Sequence, residues 1–241
     1  MPTYEFVAKW LNDNQGIVAV ILFATALMFG WLTGIFSALR RKPKFSFHLI
    51  AGPTFCCTYP TGSMKNDYPI HRTGIALYLY VANTGSSASS IERISVGYHC
   101  NIQPYSIQWL RFRMGWFWLS DQIAVIHDFQ AKIGDNIKIY PFLVQASILS
   151  DRSASTFLQP GQATNGVVYF EQSDSWGGFY PSPTQNKVRV KVALFDTFGR
   201  RHTRKFNIES VTMDYARTYN PSFGKTIAEM RNETLPHDKA A

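Results

Sequence analysis

Residues 71–83 read HRTGIALYLYVAN. Side chains alternate across an extended chain, so Ile75, Leu77, Leu79 and Val81 share one face while Ala76, Tyr78, Tyr80 and Ala82 share the other. Both faces are largely apolar, which predicts a central strand covered on two sides rather than an edge strand. Its neighbours carry weaker forms of the same pattern. Residues 45–51 alternate and stop at Gly52-Pro53, a loop is expected around Tyr59-Pro60-Thr61-Gly62-Ser63, and a turn cluster at 83–87 leads to a strand at 91–98.

Farther along, residues 136–150 predict a strand pair or one long strand kinked at Pro141, whose missing N–H favours an edge or a bulge. A turn at 158–162, a strand at 166–171 and a Gly- and Pro-rich loop at 173–183 follow. Val188, Val190, Val192 and Leu194 then alternate with Lys187, Arg189, Lys191 and Ala193, the pattern of a strand with one wet face. Asp196-Thr197-Phe198-Gly199 reads as a hairpin turn, with residues 200–208 as the returning strand. Beyond residue 210 the pattern fades to one short helix within 215–230 and a loose tail. About eight strands with turn formers between them, and no strand–helix alternation, predict two antiparallel sheets packed face to face. The expected class is mainly β: an immunoglobulin-like antiparallel β-sandwich over residues 45–210, with 211–241 as a C-terminal extension.

The stretch 159–170, with Pro160-Gly161 before Gly166-Val167-Val168-Tyr169-Phe170, resembles a turn-and-strand pattern of small bacterial immunoglobulin-like accessory domains. Val81-Ala82-Asn83-Thr84-Gly85 is similar to such domains in the same way. The resemblance implies a membrane-tethered sandwich of a prokaryote or virus and carries no functional residue. The disulfide of extracellular immunoglobulin domains has no counterpart in this pattern.

Ahead of the strands, residues 17–39 contain no charge, and Arg40-Arg41-Lys42-Pro43-Lys44 follow directly. About 20 apolar residues suffice to cross roughly 30 Å of hydrocarbon. The basic cluster follows the apolar run instead of preceding it, and no small-residue cleavage pattern comes after, so a retained transmembrane helix is expected rather than a signal peptide. Residues 1–16 form a short flank, and Arg40, Arg41, Lys42 and Lys44 form the membrane border. That flank holds Lys9 against Glu5 and Asp13, so the charge bias places the C-terminal domain in the cytoplasm of a single-pass cell-membrane protein. Cys56, Cys57 and Cys100 are odd in number with two adjacent, which suits a reducing compartment. In the strand near the loop, one of Cys56 and Cys57 is expected buried and the other half-exposed.

The net charge is +8, of which residues 40–44 supply +4. The membrane border therefore explains half the excess without nucleic acid. No His-x-x-His, His-Glu-x-x-His or Cys-x-x-Cys occurs among the six histidines and three cysteines, nor a Gly-x-Ser-x-Gly elbow or a phosphate-binding glycine loop. Asp121, Asp128, Asp135 and Asp151 have no spacing that pairs them for acid–base work. No cofactor, metal or catalytic residue is assigned.

Two contact surfaces are expected instead. Lys187, Arg189, Lys191, Arg200, Arg201, Arg204 and Lys205 cluster around the 196–199 turn against Asp196 alone, forming a basic face for anionic lipid or an acidic protein partner, or an ordinary solvated sheet face. Trp109, Trp116 and Trp118 crowd an insertion near Arg111 and Arg113, either plugging the core or forming an exposed aromatic patch. The resulting reading is a membrane-anchored, non-catalytic interaction or scaffolding module. Its partners are the bilayer and a protein, with no oligomeric state implied. An extracytoplasmic ligand-binding or envelope module, and a hydrolase assembled across strands, stay open.

Overall fold

A computed structural model describes residues 2–34, 41–100, 102–111, 114–120, 127–145, 153–175 and 179–225. Two compact units result, residues 1–42 and 43–241. In the first, α1 (Pro2–Asp13) is followed after Asn14 by α2 (Gln15–Leu32). A turn is expected at residues 12–16, yet helical bonding almost runs through: the Val18 N–H donates to Asn14 O at 3.0 Å, and the Asn14 side chain donates to Trp10 O at 2.9 Å. At the other end Gly34 takes φ +75°, and its N–H donates to Trp31 O, a left-handed close that L side chains resist. Residues 35–40, Arg40 among them, lie outside the described residues.

The 18 residues of α2 are apolar on every side and long enough, at about 27 Å, to span a membrane. Within its own unit Val20, Leu22, Phe23 and Trp31 are exposed. The Thr25 hydroxyl donates to Ile21 O, which leaves no polar side-chain hydrogen pointing outward there.

In the second unit, residues 71–83 lie within the long strand β3 (Tyr68–Asn83). One edge of β3 carries β1 (Phe45–Leu49) on Leu79–Asn83 and β2 (Phe55–Lys65) on its first half; the other edge carries β9 (Ala163–Ser175). The central position expected from its two apolar faces is therefore observed. From β2 the ladder continues to β11 (Arg201–Ser210), β10 (Lys187–Asp196), β4 (Ser89–His99) and β5 (Trp116–Leu119), while the two-residue β8 (Phe157–Leu158) adds to β4. The path is not closed into a barrel.

The inward residues of β3 and β9 meet those of β4 and β10 in one core, which gives an open, sandwich-like arrangement. Ile75, Leu77, Leu79 and Val81 pack with Val168 and Phe170 on one side and with Ile94, Val96, Val190, Val192 and Leu194 on the other. Full burial of each large side chain stabilises by about 1.5–3 kcal/mol. The pairing is not purely antiparallel. Glu209 and Ser210 of β11 run parallel to Phe55 and Cys56 of β2, because β2 enters between the two halves of the ladder.

The even residues of β3 face a second core. Ala76 and Tyr78 pack with Phe55 and Cys57 of β2 and Val167 and Tyr169 of β9 beneath an added layer. That layer comprises the hairpin β6 (Phe129–Ile133)–β7 (Asn136–Tyr140), Phe142, α4 (Met213–Tyr219) and Phe223. The Thr212 side chain caps α4 by accepting from the Tyr215 N–H, and the Asn220 side chain donates to His127 O. Gly166 runs so close to Leu143 that a Cβ there would lie 2.6 Å from the Leu143 Cβ and 2.7 Å from its backbone N.

Three expectations change here. Residues 59–63 are not a loop but part of β2, with an irregular register between Pro60 and Met64; the chain reverses at Asn66-Asp67, which tolerate φ of +49° and +65°. Neither Cys56 nor Cys57 is half-exposed: both are 1% exposed, since β2 has cores on both faces. Of the segment 136–150, residues 136–140 form the short β7 and after Pro141 the chain crosses to β9, where the Leu143 N–H donates to Val167 O; residues 146–150 lie outside the described residues.

Candidate contact face and adjoining cleft

Alternation along β10 sends its valines into the main core and Lys187, Arg189 and Lys191 outward. The register with β11 then sets their neighbours: Glu209 opposite Lys187, Asn207 opposite Arg189, Lys205 opposite Lys191 and Arg201 opposite Phe195. Five of the seven basic residues thus share one sheet face. Arg200 sits in the turn, where its backbone N–H donates to Asp196 Oδ1 at 2.9 Å. Arg204 stands opposite Val192, on the inward side, and its Nη1 donates to Phe47 O at 2.7 Å across the edge of the sandwich.

The insertion contributes to the same face through β5. Trp118 lies opposite Gly97 and Trp116 opposite His99. A Cβ on Gly97 would come within 3.0 Å of the Trp118 ring, so the missing side chain seats the indole against the sheet. Lys191 Nζ lies 5.9 Å from the Trp118 ring centre and 6.0 Å from that of Trp116, while the Arg201 guanidinium is 4.6 Å from Trp118. Arg93, which sequence reasoning missed, stands 4.4 Å over Phe195. Ala193 and Ser95 point outward at the middle of this face and are still buried, so larger neighbours close over them.

Core plug and surface patch turn out to alternate along a single strand. Phe117 and Leu119 pack against the main core, with Phe117 stacked on Tyr98 at 5.4 Å, while Trp116 and Trp118 take the outer side, half-buried. Trp109 is on α3 (Ile107–Arg111), where its ring packs on Tyr105 rather than on a basic residue of the sheet. Arg113 lies outside the described residues. Of the membrane-border residues, Lys44 is held by its backbone: Thr84 N–H donates to Lys44 O, and Lys44 N–H to the Asn83 side chain.

Among the described residues, none of Lys187, Arg189, Lys191, Arg201 and Lys205 joins an ion pair, unlike Arg72 with Glu171 and His202 with Asp196. Lys191 and Lys205 are direct cross-strand neighbours, an arrangement that costs folding free energy. At the end of the face where β4 finishes, a cleft of about 430 Å³ opens between His99, Lys187, Arg189, Asn207 and the 182–185 segment. Its wall is a tight turn: Thr184 and Lys187 exchange backbone hydrogen bonds, Gln185 and Asn186 take φ of +50° and +59°, and Ser210 N–H donates to Asn186 O. Burial first, and the Arg189 charge second, lower the His99 pKa and favour its neutral form. Nothing in the sequence pattern alone couples His99 or Asn207 to Arg189. Long-range pairing of β4 and β11 with β10 does so.

Burial raises the thiol pKa to about 12 at Cys56 and Cys100 and to about 11 at Cys57. Among the described residues no three His, Cys, Asp or Glu side chains gather as a metal site; Asp121 and Asp151 lie outside them. No family model matches the sequence, and comparison with curated proteins yields no match.

Proposed function

We propose that this protein is a single-pass, membrane-anchored, non-catalytic interaction module of a prokaryote or virus. In this reading α2 spans the bilayer, Arg40, Arg41, Lys42 and Lys44 mark the cytoplasmic border, and an immunoglobulin-like sandwich meets an acidic protein partner in the cytoplasm. The observation that carries the reading is the joint face of Lys191, Arg201, Lys205, Trp116 and Trp118. The Lys191–Lys205 like-charge pair costs stability, and cations beside half-buried indoles suit recognition of a carboxylate-rich surface, since interface anchors are enriched in Trp and Arg.

The test is crosslinking in native membranes from a residue of this face, comparing wild type with Lys191→Glu/Arg201→Glu. A captured protein that disappears in the variant supports the face; capture unaltered by both charge reversals overturns it. Sidedness is read separately from Asp135→Cys in the exposed β6–β7 turn, with an impermeant thiol reagent. Labelling of intact cells before lysis would contradict the cytoplasmic placement. The native cysteines give little background, because all three are buried and protonated.

A further inference from the structure

The cleft at the end of the basic face differs from the rest of that face in being concave, and it opens to solvent. Its volume of about 430 Å³ falls in the range of small-ligand sites. Lys187 and Arg189 supply two basic side chains, and among the described residues no carboxylate lines it. Glu209, the cross-strand neighbour of Lys187, is not part of the lining and makes no ion pair with it. Thr184, Gln185 and Asn207 add a hydroxyl and two amides whose side chains have no protein partner among the described residues. A second depression of about 300 Å³ shares Arg189 and Asn207 and brings in Lys205.

We propose that this cleft binds a phosphorylated polyol, with Arg189 and Lys187 on the phosphate and Thr184, Gln185 and Asn207 on the hydroxyls. Arg offers a planar fork of donors that matches phosphate oxygens, and Lys adds a point charge. Side-chain amides and a hydroxyl both donate and accept, as neighbouring ligand hydroxyls require. The cleft walls are mostly polar, and His99, the one aromatic ring among the described lining residues, already packs edge-to-face against Trp116 at 5.5 Å, which favours hydroxyl recognition over base stacking. Lys205, in the adjoining depression, is positioned for a second phosphate on the same ring. The proposal rests on the basic face being a recognition surface, and it assigns one end of that face a small-molecule ligand of its own.

Calorimetry on the full-length protein in detergent tests it with three probes: inorganic phosphate, soluble inositol trisphosphate, and vesicles carrying the matching phosphoinositide. Saturable binding of the soluble trisphosphate is expected, tighter than inorganic phosphate, and weakened about tenfold or more by Arg189→Ala and by Asn207→Asp. Trp118→Ala and Lys191→Ala, outside the cleft lining, should change it less than about twofold, which is well under 1 kcal/mol. Equal affinity for vesicles and soluble headgroup leaves the source of the polyol phosphate open to either pool; tighter binding to vesicles identifies the lipid. Both results support the site. Absence of saturable trisphosphate binding, or equal losses from Arg189→Ala and Lys191→Ala, overturns it. Partner crosslinking through the Trp118 and Lys191 part of the face would be untouched by that failure. Unaltered thermal unfolding of Asn207→Asp separates loss of ligand from loss of fold.

Discussion

The two outward sheet surfaces of the β domain have opposite fates. The outer side of β2, β3 and β9 carries Phe55, Tyr78 and Tyr169 and is sealed by the β6–β7 hairpin, Phe142, α4 and Phe223. The outer side of β4, β10 and β11 carries Arg93, Lys187, Arg189, Lys191, Arg201 and Lys205, and among the described residues only the two tryptophans of β5 lie over it. Apolar surface in water drives the chain to supply a lid, whereas charged surface does not. A face with five or more cations and, among the described residues, no paired carboxylate therefore contributes little to folding, and it is the better candidate for recognition.

The largest effect expected from this contrast is at Phe55, whose fully buried ring lies among those of Phe129, Tyr215, Tyr219 and Phe223. Phe55→Ala should cost about 3–5 kcal/mol in denaturant unfolding of the full-length protein. A loss below about 1 kcal/mol would mean that the second layer is not a packed core. Gly166→Ala comes next, because the added methyl meets Leu143 backbone as well as its side chain. A destabilisation of about 1–3 kcal/mol is expected by the same measurement, and a neutral result would show that the 143 segment is free to move away.

Asp196, at the turn joining the two central strands of the open sheet, should have an intermediate effect. Burial opposes its charge, but the Arg200 N–H, the His202 ring and the Phe198 N–H more than offset this and hold its pKa below the ordinary carboxylate value. A depressed folded-state pKa adds stability above the unfolded value of about 3.9 and withdraws it as pH falls through the folded value. Wild-type stability should therefore drop below about pH 4, and Asp196→Ala should lose about 1–3 kcal/mol at pH 7 and flatten that acid limb. Identical pH profiles for the two proteins would contradict this role. The smallest effect belongs to the open face: Arg201→Ala removes a close cation–π contact with Trp118 and a longer one with Phe195, and should shift unfolding by about 0.5–1 kcal/mol. A loss of 3 kcal/mol there would mark the face as structural and end the contrast between the two surfaces.

How much of this was visible in the sequence depends on the range of the interaction. The apolar faces of 75–82, the alternation at 188–194 and the turn at 196–199 are local signals, and each element forms where its period says. The hairpin turn at Asn66-Asp67 was also local but obscured by Pro60 and Gly62, which read as a loop although β2 carries them as an irregularity. The basic cluster was legible as composition. Its division into five outward residues, a turn residue at Arg200 and an edge clasp at Arg204 required the β10–β11 register, which shifts every side chain if it slips by one residue.

The chain's own pattern is thus sufficient for a long apolar helix, a central two-faced strand and a charged hairpin, since these rest on neighbours a few residues apart. Tertiary pairing alone brings Trp118 onto Gly97 beside Arg201, and His99 and Asn207 to Arg189. These residues are separated by as much as a hundred positions, and hydrogen-bonded ladders between distant strands, not local periodicity, set which of them meet.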